Sequence, residues 1–150
     1  MTSCAALIVA AGRGSRFGGP LPKQYALLGG QTVLRRTLTV LAATPGIDRC
    51  QVVIAAGDEA LYRAAVDGLD LPPPVTGGAT RQQSVLKGLE TLAGDPPDLV
   101  AIHDAARPFV RVSDILGCIE AIGPGVDGAI LGVPLADTLK KVGEDGGLLG

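Results

Sequence analysis

Leu7-Ile-Val-Ala-Ala-Gly-Arg-Gly-Ser-Arg-Phe-Gly-Gly-Pro-Leu-Pro-Lys-Gln-Tyr25 ends a short apolar run in a glycine-rich loop that carries Arg13 and Arg16, with Lys23 just beyond. Glycine lets a backbone approach a bulky anion, and exposed N–H groups with fixed cations then neutralise it. The acids are distributed to match. None occurs before Asp48, so the first 47 residues carry five basic side chains and no acidic one. The remainder carries eight basic and fifteen acidic residues, for a net charge of −2. That asymmetry reads as a segment built to hold phosphate. Taken alone, the G-x-G pattern also describes a turn with solvated arginines.

Two commoner phosphate loops fail on chemistry. A P-loop needs G-x-x-x-x-G-K-[ST], but Gly14 and Gly19 at that spacing are followed by Pro20, and Lys23 comes too late. A dinucleotide fingerprint needs G-x-G-x-x-G, but Phe17 follows Gly12 and Gly14 where the third glycine belongs, and no acid lies about 20 residues on for a ribose hydroxyl. An NAD oxidoreductase is disfavoured on both counts. Gly12-x-Gly14-x-Arg16 and Pro22-Lys23 remain.

At 150 residues the chain is one domain's worth of sequence, with 47% hydrophobic and 19% charged residues, as in an ordinary α/β protein. Aromatics at 3% and no Trp leave little to stack on bases, and the slightly acidic total offers no field for a polyanion, so nucleic acid is not an expected partner. Cys4, Cys50 and Cys118 are odd in number and scattered, which suggests reduced thiols rather than disulfides or a metal cage. No charged lead precedes an apolar segment, and the apolar runs are too short to span a bilayer. A soluble, cytoplasmic protein is expected.

Ala5–Ala11 reads as a strand buried on both faces. Thr32–Thr44 reads as a helix with Leu34, Leu38 and Leu41 on one stripe, ended by Pro45-Gly46. Gln51–Ala56 is predicted as a strand, Asp58–Leu69 as a helix capped by Asp58, and Val75-Thr76 as a short strand. A further helix runs from Thr80 to about Ala93 with Val85, Leu86, Leu89 and Leu92 inward, and Thr80 and Gln83 have capping-box spacing. Leu99–His103 is a strand, Val112–Ile122 a helix capped at Ser113 or Asp114, and Gly128–Pro134 one more strand. The tail Asp137–Gly150 is glycine-rich, with no closing element expected. Strand and helix alternate, which predicts an α/β fold with a mainly parallel, Rossmann-like sheet and helices on both faces.

Ligands of such sheets bind beyond the carboxyl ends of the strands, and three loops are expected to gather there. The first is the loop already described. In Gly77-Gly78-Ala79-Thr80-Arg81-Gln82-Gln83-Ser84, two glycines precede a helix N-terminus, whose free N–H groups favour an acceptor or anion; a turn with a capped helix is the alternative. In His103-Asp104-Ala105-Ala106-Arg107-Pro108, an acid directly after a strand suits Mg²⁺ held by one carboxylate with phosphates completing the shell. A turn cap is the alternative for Asp104, an ion pair for Arg107, and His103 reads as structural.

These loops, in this order, resemble the 2-C-methyl-D-erythritol 4-phosphate cytidylyltransferases. The resemblance rests on Ala10-Ala-Gly-Arg-Gly-Ser-Arg16 with Pro22-Lys-Gln-Tyr25, on Gly77-Gly-Ala-Thr-Arg81 with Ser84-Val85, on His103-Asp-Ala-Ala-Arg-Pro108 and on Pro134 to Lys140 with Asp137-Thr138. It implies a fold of the nucleotide-diphospho-sugar transferase type and transfer of CMP from CTP to methylerythritol phosphate. By the family pattern Arg16 and Lys23 act at the α-phosphate, and the backbone of Ala10, Ala11, Gly12 and Gly14, with Ala105, cradles the nucleotide. Gly78, Ala79 and Ser84 read cytosine and ribose, and Asp104 holds Mg²⁺. Arg107 and Thr138 bind methylerythritol phosphate, in this family across a homodimer interface. Val9 stands where a Pro is frequent and Gln83 where an Asp is usual. Family members continue past position 150, so residues 1–150 are expected to form a cytidylyltransferase domain without its C-terminal portion, and some relatives carry a fused second enzyme. The rival readings are ribitol phosphate cytidylyltransferase, which shares the loops, and a catalytically incomplete nucleotide-binding fragment.

Overall fold

The apolar run that opens the chain becomes the central strand of a parallel sheet: β1, Cys4–Ala10, is buried along almost its whole length. The computed structural model describes residues 2–13, 18–144 and 148–149. Gly14 and Arg16, both expected in the site, lie outside the described residues. After a 3₁₀ turn at Lys23–Tyr25, a hairpin that was not anticipated pairs β2, Leu27–Leu28, with β3, Gln31–Thr32. Its signal was legible: Gly29-Gly30 is a two-residue connection with φ of 57° and 80°, the mirror-image turn that suits twisted strands.

The α-helix α1, Val33–Ala42, is capped by the Thr32 side chain, which accepts from the Arg35 N–H, and it buries Leu34, Leu38 and Leu41 as its periodicity predicts. Next come β4, Arg49–Ile54, and α2, Glu59–Val66. Asp58 occupies the N-cap position of α2 but makes no capping bond there; its carboxylate is turned to Arg13 instead. The short β5, Val75–Thr76, precedes α3, Arg81–Leu92, which starts with the expected capping box of Thr80 and Gln83. Then follow β6, Leu99–Asp104, and α4, Val112–Glu120. Neither Ser113 nor Asp114 caps α4, whose N-cap position is Arg111. The helix begins before Ser113, so Asp114 sits in its first turn and pairs with Arg111 at 3.6 Å.

The sheet order is β5-β4-β1-β6, parallel throughout. Ala6, Ile8 and Ala10 of β1 and Cys50, Val52 and Ile54 of β4 pack with Leu34, Leu38, Leu41, Tyr62 and Ile115, so α1, α2 and α4 cover one face. The other face receives α3 at close range, because Gly88 has no side chain: a Cβ there would sit 2.4 Å from Leu7 and 2.9 Å from Val53. Helices on both faces therefore hold, but the inward stripe of α3 is Ser84, Gly88 and Leu92. Leu86, expected inward, is 54% exposed, since the glycine fixes which side of the helix can approach the sheet.

The strand expected at Gly128–Pro134 is not formed. Ile130 and Val133 are 92% and 91% exposed, and a strand needs a partner for its N–H and C=O groups. The tail does have a closing element, a two-residue antiparallel ladder of β7, Lys141–Val142, with β8, Leu148–Leu149. No helix among the described residues is long and apolar enough to cross a membrane.

Candidate active site

The chain steps from β1 to β4 to β5 in one direction, then α3 carries it back across the sheet to β6 on the other side of β1. Loops leaving β1 and β6 therefore diverge, which opens a crevice at the carboxyl edge of the sheet. A cleft of about 800 Å³ lies there, lined by residues of all three predicted loops. Register brings the first and third together: Val9 pairs with Asp104, and the Ala105 N–H donates to the Val9 carbonyl at 3.0 Å. The second loop touches the first because Gly77 is a glycine; a Cβ there would lie 2.8 Å from the Ala11 Cβ and 2.7 Å from Ser84 Oγ.

Ala10, Ala11, Gly12, Lys23, Gly78, Ala79, Ser84, Asp104, Ala105 and Arg107 all line this cleft. Thr138 is exposed on the segment after α4 and does not line it. Gly12 has ordinary backbone rather than positive φ, and a Cβ on it would meet nothing within 4 Å. Neither conformation nor packing demands glycine at that position, so the open backbone faces the cleft for another reason, and close approach of a ligand supplies one.

Asp104 organises the charges. Its Oδ1 accepts from Arg81 Nε at 3.1 Å and Nη2 at 3.0 Å, and its Oδ2 accepts from Arg107 Nε at 3.0 Å. Partial burial alone would raise the Asp104 pKa, but the hydrogen bonds from Arg107 and Arg81, with their charges, hold it below the usual carboxylate range. A carboxylate offers about four lone-pair sites, and three are taken. One is left open, and a single carboxylate oxygen is the way such an acid could hold a divalent cation such as Mg²⁺. No cluster of three or more His, Cys, Asp or Glu able to hold a metal exists among the described residues.

Three residues essential to the geometry had no assigned role in the sequence reading. Arg81, quoted in the second loop, reaches across to the third. Gln24, buried, donates from Nε2 to the carbonyls of Ala10 at 2.6 Å and Gly12 at 3.0 Å, pinning the glycine loop over β1. Thr37 on α1 donates to the Ala105 carbonyl at 2.8 Å and fixes the third loop from beneath. A Gln next to Lys23 and a Thr on a buried stripe carry no signal by type; only their long-range partners identify them. His103 is a brace, as read: its Nε2 lies 3.0 Å from the Arg107 carbonyl.

Two expectations change. The N–H groups of the loop ahead of α3 are taken by side chains of the helix. The Gly78 N–H donates to Ser84 Oγ at 3.1 Å, and the Ala79 and Thr80 N–H groups to Gln83 Oε1 at 2.9 and 3.2 Å. Gln83 thus serves the box, and the N–H groups of Gly78, Ala79 and Thr80 are engaged within the loop and helix. Arg13, counted with the phosphate-binding cations, is committed elsewhere: it pairs with Asp58 at 3.2 Å.

A family model described as 2-C-methyl-D-erythritol 4-phosphate cytidylyltransferase, IspD, matches residues 4–150. Among curated proteins, the bifunctional enzyme IspD/IspF of Rhizorhabdus wittichii is 53% identical over 139 residues, covering 93% of this chain and 35% of that protein. The bifunctional enzyme of the same name from Paramagnetospirillum magneticum is 51% identical over 146 residues, covering 97% and 38%. The crystal structure of 4-diphosphocytidyl-2C-methyl-D-erythritol synthase from Anaerococcus prevotii superposes with a TM-score of 0.81 at 30% identity, covering 98% of this chain and 63% of that one. The Francisella tularensis 2-C-methyl-D-erythritol 4-phosphate cytidylyltransferase gives 0.72 at 31%, covering 96% and 63%. This chain thus spans little more than a third of the length of these curated relatives.

Proposed function

The chain belongs to the 2-C-methyl-D-erythritol 4-phosphate cytidylyltransferase family, and from that membership we propose that it transfers CMP from CTP to 2-C-methyl-D-erythritol 4-phosphate in non-mevalonate isoprenoid precursor synthesis. The observation that supports this reading is the cleft itself: an unobstructed glycine backbone and Lys23 in its lining, with Arg81 and Arg107 paired to a single acid, Asp104.

A phosphate oxygen of methylerythritol phosphate attacks the α-phosphorus of CTP. The bond from that phosphorus to the bridging oxygen breaks, and pyrophosphate leaves with the electron pair. The substrate supplies the nucleophile, so the protein needs no activated Ser, Cys or His. Its task is to hold two polyanions in line and to neutralise the charge that builds on the α-phosphate. Lys23 and Arg16 do so at the α-phosphate. The backbone of Ala10, Ala11, Gly12 and Gly14, with Ala105, cradles the nucleotide, and Gly78, Ala79 and Ser84 enclose the cytosine and ribose. Arg107 orients the second phosphate, and Thr138 joins it in a homodimer. Asp104 would hold Mg²⁺, which would supply further positive charge to the triphosphate. The working compartment in this reading is the cytoplasm.

Pyrophosphate release is the test, with CTP, Mg²⁺ and either methylerythritol phosphate or ribitol phosphate. Release is expected with the first alcohol alone, and Lys23→Ala should lower it by about a hundredfold. Release with ribitol phosphate alone would reassign the substrate. Binding of CTP without release would leave a nucleotide-binding fragment.

A further inference from the structure

Arg13 is the one cation of the glycine loop among the described residues and lines the cleft, yet its guanidinium is engaged by two acceptors of another loop. Nη1 donates to Asp58 Oδ1 at 3.2 Å and Nη2 to the Ala56 carbonyl at 3.0 Å. Both acceptors lie in the connection between β4 and α2, 43 and 45 residues away in sequence. The partners are unequal: the Arg13 side chain is 64% exposed, whereas that of Asp58 is 4% exposed. Asp58 is not held for its helix, since it makes no capping bond to α2. Its second oxygen, Oδ2, is buried without a partner, as are the hydroxyls of Tyr25 and Tyr62. A buried carboxylate with one oxygen unsatisfied is costly, and Arg13 provides its only ion pair among the described residues. A planar fork that spans a carboxylate and a carbonyl also fixes direction, which a lysine does not.

We infer that Arg13 is a positioning residue for the nucleotide: it ties the start of the glycine loop to the β4–α2 connection through Asp58, so that the Gly12 backbone beside it is held open for the triphosphate. Gln24 fixes the same loop from the β1 side, at the carbonyls of Ala10 and Gly12. Arg13 adds a second anchor on the adjacent residue, from the β4–α2 connection. The inference rests on the reading of CTP as the nucleotide.

The test uses the intact protein and the variants Arg13→Gln, Arg13→Lys, Asp58→Asn and the double variant Arg13→Gln/Asp58→Asn. Amide hydrogen exchange of the peptide covering residues 11–18 reads the latch without nucleotide, and calorimetric titration reads CTP affinity. Each glutamine or asparagine variant should speed exchange in that peptide and weaken CTP by about tenfold, and the double variant should be no worse than the poorer single, because one interaction is lost in all three. Arg13→Lys should recover little of either, since an ammonium cannot span both acceptors. Unchanged loop exchange would overturn the latch, even if the variants melt at lower temperature. Arg13→Gln weakening CTP while Asp58→Asn leaves it equal or tighter would also overturn it, by making Arg13 a direct phosphate ligand. Should Asp58→Asn fail to fold, the glutamine and lysine variants of the exposed Arg13 still decide. A wild-type protein that does not bind CTP would sink the functional reading, and the exchange measurement would still judge the latch.

Discussion

Asp104 shows how little of a residue's role lies in its type. As an acid after a strand it fitted a metal ligand or a turn cap; in the fold it joins two loops by accepting from Arg81 and Arg107 at once. Its carboxyl is held below the ordinary value of 3.8, so the folded state favours the charged form. The stability this contributes is fully present above the unfolded value and is lost as pH falls through the lower folded one. The difference in urea midpoint between wild type and Asp104→Asn should therefore be constant from pH 7 down to about 5, and should shrink as pH is taken below 3.8. The cysteines give a second check. Burial pushes the Cys50 thiol up to about 11 and raises that of Cys4, whereas Cys118 is only half-buried. A thiol reagent at pH 8 should label Cys118 first, with Cys4 and Cys50 reacting only on unfolding; peptide mass analysis reads the order, and early labelling of Cys50 would contradict the packing.

At the scale of elements, periodicity was a good guide where one face of a helix met one face of the sheet. The Leu34, Leu38, Leu41 stripe of α1 is an example, and so is the capping box of α3, whose two side chains lie three residues apart and need no distant partner. It failed where contact distance was decisive. Leu86 follows the apolar pattern of α3 yet faces outward, because Gly88 lets Leu7 and Val53 approach and so sets the helix's rotation. Gly88→Ala should cost about 1–3 kcal/mol by overpacking, despite alanine's better helix propensity, and a stability gain measured by denaturant titration would refute this contact. Asp58 and Ser113 illustrate another limit: residue type marks a helix start to within a turn, but a salt bridge or an earlier first turn takes the cap away.

At the scale of the whole molecule, the folded body ends with α4, and from Gly123 to Lys140 nearly every residue is exposed. Limited trypsin digestion should cut first at Lys140 or Lys141 while Arg35, Arg49 and Arg63, within the body, resist; gel mobility and mass analysis would reveal the reverse order. The sequence by itself determined the alternation of strand and helix, the three loops that follow strands, and the glycine and basic residues of the first of them, because each is written in neighbours a few positions apart. Resemblance of those loops pointed to the family that the comparisons then established. Only the tertiary structure decided that Arg81 and Arg107 share Asp104, that Gln24 and Thr37 hold two loops from beneath, and that Arg13, in the cleft lining, pairs with Asp58. Those partners are separated by up to 68 residues, and a hydrogen bond depends on where the parallel register of β1 with β4 and β6 sets its two ends, a distance no local pattern contains.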